Sequence, residues 1–114
     1  MYERIVEEQK RVCQRYGFPW IPTAGDQNVG LADAVRTGGI PINGLRIGPA
    51  GLSCGWFLWV GEMTQDPDFF KPVHARHLAD IRPVLLKYLG LPPGCRIQVD
   101  DQGYEDVWLD DESG

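Results

Sequence analysis

Cysteine and histidine are scarce in this sequence, no long apolar run occurs, and basic residues stop at Arg96. Each shortage excludes something. The three cysteines, Cys13, Cys54 and Cys95, are odd in number and form neither a CxxC pair nor a zinc-ribbon spacing, so a disulfide framework and a cysteine-built metal site are both excluded. They read as small core residues held reduced. His74 and His77 are the only histidines, which rules out a histidine-rich centre, and HExxH is missing. Nothing approaches the roughly 18 to 20 consecutive apolar residues of a membrane helix. The opening MYERIVEEQKR lacks the apolar core of a secretory signal, so a cytoplasmic protein with no membrane partner is expected.

What remains is a globular composition of 114 residues, 43% hydrophobic and 11% aromatic, sized for one domain over residues 1–114. The net charge of −5 is unevenly spread. Residues 97–114 carry Asp100, Asp101, Glu105, Asp106, Asp110, Asp111 and Glu112 with no Lys or Arg. The other nine acidic residues face all eleven basic ones elsewhere, for +2. Such an acidic end repels phosphates, which argues against nucleic acid and suits a basic protein partner. It equally suits a solubilising terminus.

Along the chain, YERIVEEQKRVCQRY (2–16) has helical spacing, with Ile5, Val12, Cys13 and Tyr16 near one face and Gln9 as a polar gap. Gly17 and Pro19 end it. GFPWIPTAGDQ is a loop, and QNVGLADAVRTGG reads as a short helix stopping at Gly38-Gly39. IPINGLRIGP suggests a strand pair about Asn43-Gly44 or one bulged strand. SCGWFLWVGE is a central strand, with Trp56, Leu58 and Val60 on one side and Phe57 and Trp59 on the other. Large apolar groups on both sides mean that the sheet is covered twice or that one side binds something. Trp56 and Phe57 are both expected in the core. After the Asp66-Pro67-Asp68 turn, residues 73–81 are expected to be helical, and Pro83 opens a second short helix. CRIQV and EDVWLD form a terminal hairpin about DDQGY. The fold class is α+β: a mainly antiparallel sheet with an N-terminal helix and a helical excursion before a C-terminal hairpin.

Catalytic signals are thin. His74 and His77, spaced i and i+3 with Asp66 or Asp68 as a third ligand, could make a small metal-dependent enzyme using His74, His77 and Asp68. Cys54 and Cys95 on buried strands would stay protonated and inert. LSCGW is not GxSxG, and the glycine-rich stretches match no P-loop or GxGxxG followed by a helix. No cofactor is implied. The aromatic and acidic residues instead suggest an interaction surface. A further alternative is an accessory module that self-associates through the exposed edge of the hairpin.

GWFLWVGE, DPDFFKPVHARHL, LLKYLGLPPGCRI and YEDVWLD, in this order and spacing, resemble the bacterial immunity protein thirty-three family, small cytoplasmic proteins of polymorphic toxin systems. INGLRIG followed by GWF is similar to a related family of unknown function. The resemblance spans about residues 40–110, and Cys95 departs from it, standing where similar sequences carry an aromatic. It implies a non-enzymatic protein that binds and neutralises a cognate toxin. The contact residues expected on composition and turn placement are Trp59, Glu62, Asp66, Asp68, Phe69, Phe70, His74, Tyr104, Glu105 and Asp106.

Overall fold

In a computed structural model, which describes residues 3–110, one mixed six-stranded sheet is backed on one face by helical segments. Tyr2 of the expected helix and Asp111 and Glu112 of the acidic end lie outside the described residues. Helix α1 (Glu3–Tyr16) is followed by β1 (Asn28–Ala32), the one-turn α2 (Asp33–Arg36), β2 (Ile42–Arg46) and β3 (Ser53–Val60). Then come β4 (Phe70–His74), a 3-10 turn (Ala75–His77), α3 (Leu78–Ile81), a 3-10 helix (Pro83–Tyr88), and β5 (Cys95–Val99) with β6 (Glu105–Leu109). The strand order is β4-β1-β3-β2-β5-β6, with β1 parallel to β3 and every other pair antiparallel. The α+β class holds as expected.

The core lies between the sheet and the helical layer. Cys54, Trp56 and Leu58 of β3, Ile42 of β2, Cys95, Ile97 and Val99 of β5, and Val107 of β6 meet Val12 and Cys13 of α1 and Leu85, Leu86, Tyr88, Leu89 and Leu91. Full burial of side chains such as Leu58 and Ile97 contributes about 1.5–3 kcal/mol each. Gln9, read as a polar gap, is also buried: its Nε2 donates to Leu86 O (2.9 Å) and its Oε1 accepts from Trp20 Nε1 (3.1 Å). The helix therefore buries a polar residue because both of its ends find partners.

Three local expectations change. Residues 28–32 form a strand rather than the start of a helix, and only residues 33–36 turn helically before Gly38-Gly39. Asn43-Gly44 is no turn but the middle of one continuous strand, β2, and the chain reverses at 47–52 instead. The reason is Gly44. A Cβ there would come within 2.7 Å of Ile97 and 3.0 Å of Leu58, so the glycine points into the core and Leu45 points away. Residues 70–74, expected partly as helix, form edge strand β4, and the helical geometry begins only at Ala75.

Buried charge joins the layers. Arg46 is 2% exposed, and its guanidinium makes five hydrogen bonds, all to backbone carbonyls: Cys54, Ile21, Leu89, Leu91 and Pro22. Glu105 of β6 accepts from Arg15 Nη1 (2.5 Å), Tyr16 Oη (2.6 Å) and Tyr88 Oη (2.8 Å), tying α1 and the 3-10 helix to the outer strand. Burial pushes its carboxyl up, but hydrogen bonds from Tyr16, Tyr88 and Arg15 outweigh that and hold it below the ordinary 4.5. A carboxylate whose folded pKa is depressed stabilises above its unfolded pKa and loses that contribution as pH falls through the folded value. Glu105→Gln is therefore expected to cost about 1–3 kcal/mol near pH 7. The gap to the parent should narrow as pH falls below the ordinary 4.5 and through the lower folded value, as seen in urea midpoints followed from pH 7 down that acid limb.

Candidate partner-binding face

The alternation of β3 decides which side chains leave the core. Trp56 and Leu58 point to the helical layer, so Phe57 and Trp59 point to the opposite face. The pairing register extends this face across the sheet. One row runs Pro72, Gly30, Phe57, Leu45, Arg96 and Trp108. The next row includes Trp59, Asn43, Gln98 and Asp106, with Phe70 beyond Ala32 on the β4 side. Helix α1 and the 78–91 segment both pack on the other side, so this face carries no helical layer among the described residues.

Four of its aromatic residues form one cluster. The Phe70 ring lies edge-on to Phe57 (5.1 Å), Phe69 (4.8 Å) and Trp59 (6.1 Å). Such edge-to-face pairs add about 0.5–1.5 kcal/mol each beyond area burial and hold the rings at defined angles. Gly30 makes the packing possible: a Cβ there would stand 2.6 Å from the Phe57 ring, which lies across the bare backbone. Trp59 is 6% exposed, Phe57, Phe69 and Phe70 are half-buried, and Trp108 at the far side is 39% exposed. A chain of polar bonds borders the rings. Tyr104 Oη donates to Gln98 Oε1 (2.8 Å), Gln98 Nε2 to Asn43 Oδ1 (3.0 Å), and Asn43 Nδ2 to Gly61 O (3.4 Å).

The register also gathers the acidic loops. Val60 pairs with Ile42, Ile42 with Val99, and Val99 with Glu105, while Ala32 pairs with Phe70. Segments 33–41, 61–69 and 100–104 therefore emerge at the same end of the sheet. Glu62, Asp66 and Asp68 are exposed there, opposite Asp100 and Asp101 of the hairpin turn, with exposed Asp106 just inside it. The Asp66 carboxylate accepts from Asp68 N (2.9 Å) and its carbonyl from Phe69 N (3.0 Å), which fixes the approach to the aromatic cluster.

The Imm33-like domain family matches residues 8–110. The chain belongs to that family. The match begins well before the blocks read in the sequence, taking in most of α1 and the whole of β1, which share the core with the later strands. No curated protein and no solved structure matches the chain.

In this Imm33-like domain, Trp59, Phe69 and Phe70 lie together, with Glu62, Asp66 and Asp68 on the adjoining loop and Tyr104 and Asp106 across the same end. Glu105 is placed differently from its neighbours: it faces α1 and is occupied by Arg15, Tyr16 and Tyr88. His74 stands at the opposite end of β4 from Asp68, on the order of 15 Å away at ordinary strand rise. The triad of His74, His77 and Asp68 is thus not brought together. The two rings lie 5.4 Å apart beside an open groove of about 520 Å³ lined also by Asn28, Arg36, Asp80 and Ile81. Among the described residues no group of three His, Cys, Asp or Glu side chains is placed to hold a metal. The cysteines are buried and free, and burial pushes the Cys95 thiol to about 11, too high for a nucleophile at neutral pH. Among the described residues no helix is long and apolar enough to cross a membrane.

Phe57, Leu45, Arg96 and Trp108 are members of the face that the expected contact set left out. The alternation of β3 contained Phe57 already. The other three depend on the register of β2, β5 and β6, which no local pattern reports.

Proposed function

We propose that this Imm33-like domain is a non-enzymatic binding protein that neutralises a cognate toxin protein by covering its active site or substrate groove. Membership of an immunity-protein family supports the class. The observation that carries the mode is the sheet face: an aromatic cluster with no helical layer over it among the described residues, continuous with an acidic loop end. Rigid aromatics supply affinity when desolvated, and clustered carboxylates steer a basic partner into contact. The residues assigned to contact are Phe57, Trp59, Phe69, Phe70 and Trp108, with Glu62, Asp66, Asp68 and Asp106 around them.

The test is native pull-down from the source cells with identification of the bound protein, a neutralisation assay on that protein, and metal analysis of the same sample. A bound toxin domain whose activity is blocked at one equivalent supports the reading. One equivalent of transition metal with no protein partner removes it and moves His74 and His77 to the centre. Within the complex, the double variant Asp66→Lys, Asp68→Lys should slow association roughly tenfold at low ionic strength, with a smaller effect at high salt, where steering is screened. Stopped-flow association rates at two salt concentrations measure this.

A further inference from the structure

The two edges of the sheet are finished differently. On β4, Ala75 N donates to Gln27 O (2.8 Å), which sets the strand's alternation so that Phe70, Pro72 and His74 turn their backbone groups outward. The middle of that row is a proline, with no N–H to offer, and exposed Lys71 stands beside it. Both devices block strand addition. On β6, Asp100 N donates to Tyr104 O (3.2 Å) and Asp110 N to Gly94 O (2.8 Å), so Asp106 and Trp108 bond inward to β5. Glu105, Val107 and Leu109 turn their N–H and C=O groups outward. Among the described residues no backbone bond outside the strand pairing reaches them. This edge has neither proline nor lysine, and it ends in Leu109, which is 50% exposed.

We propose that the outer edge of β6 accepts an extended, basic strand of the bound protein as a seventh strand of the sheet. Main-chain bonds would give the affinity, and the side chains of the added strand would continue the row that ends in Trp108. The occupant follows from charge. Asp100, Asp101, Glu105, Asp106 and Asp110 lie along the hairpin, and Arg82, Arg15 and Arg96 pair with Asp101, Glu105 and Asp110, which leaves Asp100 and Asp106 with no ion-pair partner among the described residues and the edge net acidic. A second copy pairing here would lay two such acidic segments side by side, an arrangement that like charges disfavour. Naming a toxin as the strand donor rests on the immunity reading; the strand-accepting edge itself rests on register and charge.

The test uses the whole chain and a blocked nine-residue peptide alternating Lys and Val, with a Glu and Val peptide as control, and reads amide hydrogen exchange residue by residue. Saturating basic peptide should slow exchange at Glu105, Val107 and Leu109 at least tenfold, while Asp106 and Trp108, already bonded to β5, change little. Leu109→Pro removes only an outward N–H and should weaken peptide binding at least tenfold. Leu109→Lys keeps that N–H, repels the peptide and should do the same if the proline variant folds poorly. Unchanged exchange at the three amides with the peptide and in the toxin complex overturns the edge and leaves the immunity reading standing. Protection that grows with protein concentration alone assigns the edge to a second copy and overturns the basic strand. Protection by the peptide with no toxin neutralised supports the edge and removes the immunity reading.

Discussion

Arg46→Ala is expected to lower the unfolding free energy by about 3–5 kcal/mol, a large share of the 5–15 kcal/mol of a typical domain. One guanidinium holds together backbone that is far apart in sequence: Ile21 O (2.6 Å) and Pro22 O (3.4 Å) in the loop after α1, Cys54 O (3.1 Å) on β3, and Leu91 O (2.8 Å) and Leu89 O (3.3 Å) after the 3-10 helix. Leu89 O has other donors in Thr23 and the Trp56 indole, so its loss is cushioned. Ile21 O and Leu91 O have no such reserve in the bonds made here, and each buried carbonyl left unmade costs about 1–3 kcal/mol. Burial pulls the Arg46 pKa below the usual arginine value, yet a guanidinium stays protonated in proteins and needs acceptors in place of water. The carbonyls supply them. Arg46→Lys keeps the charge but replaces a planar fork with a point donor on a shorter reach, so it should recover less than half of the loss. Urea unfolding followed by tryptophan fluorescence measures both variants. A lysine variant within about 1 kcal/mol of the parent would mean that charge alone, not the fork, holds these segments.

The same residue shows why the sequence was only partly legible. In INGLRIG, hydrophobicity alone sends Leu45 and Ile47 inward and Arg46 to solvent, which forces a register break near Asn43-Gly44. The strand is in fact continuous: Gly44 makes room for Leu58 and Ile97, and Arg46 is admitted to the core because five carbonyls wait for it. None of those carbonyls belongs to a neighbour in sequence, so no local pattern could announce them. Strand β1 was hidden for a related reason. NVGLA is only five residues long with a glycine at its centre, too short for a period to show, and it is a strand because β3 and β4 lie on either side of it. β4 was masked by Pro72 and Lys71, the residues that suit it to an edge. Elements whose pattern is local, α1, β3 and the β5–β6 hairpin, were readable. The composition of β3 also raised the right question about its second face, but Phe57 and Trp59 are as apolar as Trp56 and Leu58. Only the position of the helical layer shows which pair lies outside the core cluster.

Trp108→Ala should then weaken binding of the neutralised toxin by about 30-fold or more, the penalty expected when an aromatic anchor worth about 2 kcal/mol is truncated at an interface. Trp108 suits the test because it is 39% exposed and absent from the core cluster, so the free protein should lose about 1 kcal/mol or less. Its side chain lies on the open face beside Arg96, in the row that continues through Leu45 to Phe57. Its backbone is bonded to β5, so the substitution leaves the outward main-chain groups of β6 untouched. Trp59 is a poorer probe: at 6% exposure its truncation would disturb the aromatic cluster as well as the contact. Leu52→Ala serves as the control. Leu52 is 76% exposed on the 47–52 turn, at the opposite end of the sheet from the acidic loops, and its loss should leave affinity within about twofold. Calorimetric titration of the toxin against the three proteins gives the comparison, with thermal unfolding as the check on the fold. Equal affinity for the parent and Trp108→Ala, both folded, would move the contact off this face and onto the acidic loops or the sheet edge alone. A 30-fold loss confined to Trp108→Ala would mean that the face left bare by the helices is where the toxin sits.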